Sequence, residues 1–147
     1  MSNLLYEDKP KYDTWLKALL GGVLALPFIL GLILISVNIG EALTLFGVAL
    51  FEIILFGLIL PRRFQILNDK LRIVLGGPFA VNIPLSDIID VRSRTGIKAF
   101  VYLGIRFATS ANHTVEIVRH KGLNIVISPT MDDGFIKQLN QARNAAI

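Results

Sequence analysis

Two long apolar runs near the start constrain this chain more than anything else in it. Ala18 to Gly40 is 23 residues without a charged side chain, and Ala42 to Pro61 is 20 residues whose single charge is Glu52. At 1.5 Å of rise per residue, a helix over either run is about as long as the ~30 Å hydrocarbon core of a bilayer. Only 18% of the chain is charged, against roughly a quarter in a soluble domain, so the runs are not offset by an unusually polar remainder. The pattern predicts two transmembrane helices, at about residues 16–39 and 42–60. "VNIGEA" resembles a signal-peptide cleavage site weakly, but the first run is too long for a signal peptide and a second follows at once.

The link from Asn38 to Glu41 is too short for anything but an antiparallel hairpin, which leaves both outer ends on one side. Lys9, Lys11 and Lys17 precede the first run and Arg62, Arg63, Lys70 and Arg72 follow the second, while the link has no Lys or Arg. Basic flanks stay in the cytoplasm, so both termini are expected there, in a multi-pass protein of the cell (inner) membrane. Tyr12 and Trp15 fit interfacial anchors. The chain has no cysteine, which excludes a disulfide scaffold and thiol catalysis.

From Arg62 onward the texture changes: twelve Lys and Arg stand against six Asp and Glu, and apolar residues begin to alternate. "RRFQIL", "KLRIVLG" and "FAVNIPL" read as a meander joined by turns at "NDK" and at Gly76, Gly77 and Pro78, with Phe79, Val81, Ile83 and Leu85 on one face. A fourth strand, "IIDVRSR", ends at a Thr95-Gly96 turn. "FVYLGIRF", "HTVEIVRH" and "LNIVIS" follow, with Val115, Ile117, Leu123, Ile125 and Ile127 inward. A closing helix is expected after Pro129, with Thr130 and Asp133 spaced as a capping box and Phe135, Leu139, Ala142 and Ala146 as its apolar stripe. Seven antiparallel strands and one helix imply a sheet curled round a single core.

The residues "RRFQILNDKLRIVLGG", "IPLSDIIDVRSRTG" and "KGLNIVISPTMDDGFIKQL" resemble the bacterial PH-like membrane proteins, in which a transmembrane hairpin is joined to a pleckstrin-homology-like barrel. The resemblance covers roughly residues 61–143. It implies a membrane protein with a two-helix transmembrane hairpin and an α+β, mainly-β PH-like barrel of seven strands closed by a C-terminal capping helix. The expected division is residues 1–61 for the N-terminal segment and helices, and 62–147 for the cytoplasmic domain. Lipid-binding PH domains gather Lys and Arg around the loop joining their first two strands. Here that loop is "NDK", with too few cations for a phosphoinositide cage.

Glu52 is the sharpest candidate for function, because an ionisable group in a span is costly and faces a partner or a polar cavity. In an antiparallel hairpin it lies near the depth of Pro27, whose missing N–H frees the Val23 carbonyl. The expectation is a polar contact within the hairpin or to a partner helix, with a proton or ion path as the rival reading. Arg62, Arg63, Lys70, Arg72, Arg92, Arg94 and Lys98 form a basic set that suits anionic headgroups, although Arg62 and Arg63 would follow any cytoplasm-exiting helix. His113 and His120 lack companions at metal spacing, Ser86, Asp87 and His113 lack a nucleophile elbow, and the aromatics belong to apolar faces rather than an RNA platform. No metal, cofactor, catalytic group or nucleic-acid partner is expected.

The expected function is a non-enzymatic, membrane-anchored interaction or scaffold module at the cytoplasmic face. Its expected partners are lipids and another membrane or membrane-associated protein, and homo-oligomerisation is open to it. A peptide would add to a free strand edge or lie between barrel and closing helix. The alternatives are a sensor of anionic headgroups, and a small subunit of a transport or membrane-enzyme complex that uses Glu52.

Overall fold

A computed structural model of the chain describes residues 3–94 and 104–146. It divides into two compact units, one formed by Thr14–Ile59 and the other by Met1–Asp13 together with Leu60–Ile147.

The first unit is a helical hairpin of α1 (Thr14–Leu34) and α2 (Ile39–Ile59), each of 21 residues. The link falls at residues 35–38, slightly earlier than the sequence suggested. The Asn38 side chain accepts hydrogen bonds from the N–H groups of Gly40 and Glu41, so it caps α2 and starts that helix before the apolar run begins. The two helices meet through small or compact residues: Pro27 and Gly31 of α1 and Ala42 and Ala49 of α2 are buried. A Cβ at Gly31 would stand 2.7 Å from Phe46 Cε1, so only glycine admits that ring, which also meets Phe28 at 5.6 Å. Close approach through small residues is how helices pack where no hydrophobic effect drives them together. The large side chains point the other way: Leu26, Ile33, Leu43 and Phe51 are each about 60% exposed.

The second unit holds two four-stranded sheets. The first has the order β1 (Leu4–Asp8), β2 (Arg63–Leu67), β3 (Lys70–Val74), β4 (Ala80–Pro84), all antiparallel. A 3-10 turn at Leu85–Asp87 leads to β5 (Ile88–Arg94), then β6 (Ile105–Phe107), β7 (Thr114–Arg119) and β8 (Ile125–Ile127), in the spatial order β5-β7-β8-β6. The closing helix α3 (Asp132–Ala145) lays Phe135, Leu139 and Ala142 on a core built from both sheets. Phe64, Ile66, Leu71, Ile73, Ile83, Val115, Ile117, Ile125 and Ile127 are fully buried there, and the Phe135 ring meets Phe64 and Tyr6 edge-on at 6.3 Å.

Several expectations need correction. The sheets are two separate sheets rather than a closed barrel, and the described residues hold eight strands rather than seven. The additional strand is β1, which pairs with β2 across some 60 residues of sequence and brings the N-terminal segment into this unit. The strands are not all antiparallel, because β6 runs parallel to β8. Phe79 and Leu123 are 53% and 57% exposed rather than inward, since each lies just outside its strand, in the connecting turn. Ala146 is exposed beyond the end of α3. No capping box forms: Met131 is the N-cap, and the Thr130 hydroxyl donates instead to the Lys9 carbonyl. The Thr95-Gly96 turn and the first part of the fifth predicted strand lie outside the described residues.

The N-terminal segment does more than add an edge. After β1 it bridges Pro10 to Pro129, then donates from the Lys11 N–H to the Ser128 carbonyl and from the Asp13 N–H to the Thr109 carbonyl. One extended stretch thus stitches the first sheet to the loops of the second.

Candidate functional site

Cross-strand register decides which of the seven predicted basic residues act together. In β2, Phe64 and Ile66 face the core, so Arg63 and Gln65 face outward. The pairs Arg63↔Val74 and Gln65↔Arg72 then place Arg72 beside them on the same outer face. The Arg62 N–H donates to the Val74 carbonyl, fixing Arg62 at the open end of the β2–β3 hairpin, and Gly77, at φ 63°, lies in the turn that leads from β3 to β4. Arg62, Arg63, Gln65, Arg72, Val74, Leu75 and Gly77 line a cleft of about 330 Å³. No carboxylate lines it, although Glu7 of β1 lies 3.6 Å from Arg63 and accepts a 2.7 Å hydrogen bond from Gln65.

The other predicted cations go elsewhere. Lys70 sits 3.7 Å from Asp69, in the loop at the opposite end of β2 and β3. Arg92 pairs with Asp90, whose carboxyl this hydrogen bond holds below the ordinary aspartate range. Arg94 pairs with Glu116, a side chain only 2% exposed that also accepts from Asn124 at 3.1 Å. Lys98 lies outside the described residues. Three of the seven therefore converge, and three are drawn off by local carboxylates.

In the helical unit, Pro27 is buried in the seam between the helices and Glu52 is half-buried. Glu52 Oε2 is enclosed and has no hydrogen-bond partner among the described residues.

Two further polar groupings were invisible in the sequence. Lys11 Nζ lies 3.0 Å from His113 Nε2, and His113 Nδ1 lies 3.3 Å from Asp132, the first residue of α3. Burial pushes the Asp132 carboxyl above the ordinary aspartate range, against the pull of the neighbouring His113. Beside this row, Ser128 Oγ accepts from the N–H groups of Thr109 and Ser110, and Asp13 accepts from Ser110 Oγ and the Ala111 N–H. Ser86, Asp87 and His113 are not brought together. Asp87 accepts from Arg119 Nε at 2.8 Å and from the Lys121 N–H at 2.9 Å, bonds that hold its carboxyl low despite its burial. No group of three or more metal-ligating side chains occurs among the described residues.

A family model described as a bacterial PH domain matches residues 62–143, more than half of the chain. No curated protein and no solved structure matches the chain.

Proposed function

From the premise that the chain belongs to the bacterial PH-domain family, we propose that it is a membrane-anchored, non-catalytic interaction module, held at the cytoplasmic face by a two-span hairpin with both termini inside. One observation carries this reading: α1 and α2 turn their small residues to each other and their large apolar ones outward. In water such a surface far exceeds the few hundred Å² of contiguous apolar patch that a soluble monomer exposes, whereas in lipid it costs nothing. Extraction of membranes with alkaline carbonate tests it. The chain stays in the pellet if the helices span, and is released if they are merely adsorbed.

The partner surface we favour is the edge of β4. The outer edge of β2 is filled by the chain's own β1, and the Ile89 carbonyl of β5 is taken by Arg143 at 2.6 Å. The space under α3 is occupied by Phe135 and Leu139, both fully buried, which removes the groove between sheet and helix. β4, an edge strand paired only with β3 among the described residues and carrying exposed Asn82, offers that edge for strand addition by a partner peptide. A photo-crosslinking residue at Asn82 should capture a protein partner in intact membranes, whereas one at Ile83, buried in the core, should not.

A second reading, as a subunit of a larger membrane complex, is favoured by the enclosed, unbonded Glu52 Oε2. Under it, Glu52→Gln inserts and assembles normally yet abolishes activity that depends on the proton gradient. Full activity in that variant leaves Glu52 a structural residue.

A further inference from the structure

We propose that the segment from Asp8 to Asp13 is a proton-sensitive strap, fastened when Lys11 rests on a neutral His113 and loosened when His113 takes up a second ring proton. Lys11 Nζ stands 3.0 Å from His113 Nε2. An ammonium group can only donate, so Nε2 must carry the lone pair. The ring proton then sits on Nδ1, 3.3 Å from Asp132 Oδ2, and that carboxylate fixes both the tautomer and the orientation of the ring. The backbone at this point is tied down as well, because the His113 N–H donates to Ser110 Oγ.

A proton on Nε2 removes the acceptor and sets an imidazolium N–H against an ammonium. Held by Asp132, the ring stays and the Lys11 side chain is expelled. The two contacts respond in opposite senses: the pair with Asp132, on the α3 side, tightens, and the one with Lys11, on the strap side, is lost. Asp133 lines the same cleft of about 390 Å³ as Ser93, His113 and Asp132, so its charge adds to the α3 side, and water in that cleft delivers the proton. On β5, Arg94 is the register partner of Thr114, next to His113, and is engaged by Glu116. The strap's own carboxylates are committed elsewhere: Asp8 accepts from the N–H groups of Thr130 and Met131, and Asp13 from Ser110 Oγ and the Ala111 N–H.

Lys11 is the middle of the strap. Its N–H donates to the Ser128 carbonyl at 2.8 Å and its carbonyl accepts from Thr109 Oγ1 at 2.6 Å, while Asp13 ends the strap one residue before α1 begins. Expulsion of the side chain leaves those backbone bonds to hold the segment unaided. Asp132 cannot be the source of such loosening. Burial raises its carboxyl above the ordinary aspartate range, so its own protonation favours the folded state as pH falls.

The test is amide hydrogen exchange on the full chain in nanodiscs, expressed as protection relative to an unfolded chain at the same pH. Between about pH 7.5 and about pH 5.5, the range in which an imidazole changes charge, protection of the Lys11 and Asp13 amides should fall about fivefold. The β7 amides that pair with β5 and β8 should not change. His113→Gln, which cannot titrate, should keep the same protection at both pH values. Lys11→Met should show at both the lower protection that the native chain has only in acid. Unchanged protection of Lys11 and Asp13 in the native chain overturns the proposal, as does a fall that persists in His113→Gln. A parallel fall in β7 also overturns it, in favour of general acid loosening of the sheet unit.

Discussion

Ser128→Ala is the perturbation that most sharply tests how the N-terminal segment is built into the sheet unit. Ser128 is fully buried; its hydroxyl accepts from the Thr109 N–H at 3.2 Å and the Ser110 N–H at 3.1 Å, and donates to the Ser110 carbonyl at 3.3 Å. Alanine removes the oxygen and leaves little room for water, so two enclosed N–H groups lose their acceptor. A buried donor without a partner costs roughly 1–3 kcal/mol, and these bonds are on the long side, so the expected loss is about 2–4 kcal/mol. Against a typical domain stability of about 5–15 kcal/mol that is a large fraction, equivalent to a fall in Tm of roughly 10–25 °C for a domain of this size. The assay is thermal unfolding of the full chain in nanodiscs, read by proteolysis of the sheet unit, with exposed Ser86→Ala as the control expected to change stability by less than about 0.5 kcal/mol. Asp13→Ala should couple to Ser128→Ala by about 0.5 kcal/mol or more, because both hold Ser110. If Ser128→Ala matches the control, the hydroxyl is not the node that secures residues 109–111 to the N-terminal stitch, and the reasoning fails.

Three other outcomes follow from the same structure. Phe135→Ala, which removes a fully buried ring packed on Phe64 and Tyr6, should cost about 3–5 kcal/mol in denaturant unfolding. Gly31→Val should loosen the hairpin by about 1–3 kcal/mol in a steric-trapping measurement, because its Cβ meets the Phe46 ring, while Gly21→Val, with open space around it, should not. Asp87 has a folded pKa below the ordinary 3.8, since hydrogen bonds from Arg119 and the Lys121 N–H outweigh the burial that would raise it. Its contribution is therefore fully present above the ordinary value and is lost as pH falls through the lower folded one, so Asp87→Asn should destabilise the chain at neutral pH by about 1–2 kcal/mol, a difference that shrinks as the solution is acidified through that folded value.

How much of this was legible in the sequence depends on the range of the interaction that decides each feature. The two apolar runs could be read directly, because length and absence of charge are what a membrane span requires. The strands from Arg63 to Pro84 could be read because Phe64, Ile66, Leu71, Ile73 and Ile83 alternate, and alternation is local. Strand β1 could not, since "LLYED" has little alternation of its own and becomes a strand only by pairing with β2. The parallel pairing of β6 with β8 and the gap between the two sheets are set by long-range register, which no local pattern carries. Phe79 and Leu123 misled for the opposite reason: each continues an apolar alternation just past the point where its strand ends. The basic set could be enumerated from sequence but not sorted. Asp69 and Asp90 are close in sequence to the cations they draw off, yet Glu116 reaches Arg94 only across the β5–β7 ladder, and the same kind of pairing brings Arg72 to Arg63.

The most direct test of the account is the sidedness of the hairpin. The chain has no cysteine, so a single one introduced by Val37→Cys, in the link between the helices, or by Asn144→Cys, near the C-terminus, gives a clean reporter. With a membrane-impermeant maleimide on intact spheroplasts, the Val37→Cys chain should label at once and the Asn144→Cys chain only after lysis. Labelling of the Asn144→Cys chain from outside, or protection of both sites in intact cells, would contradict a hairpin that holds this PH domain at the cytoplasmic face.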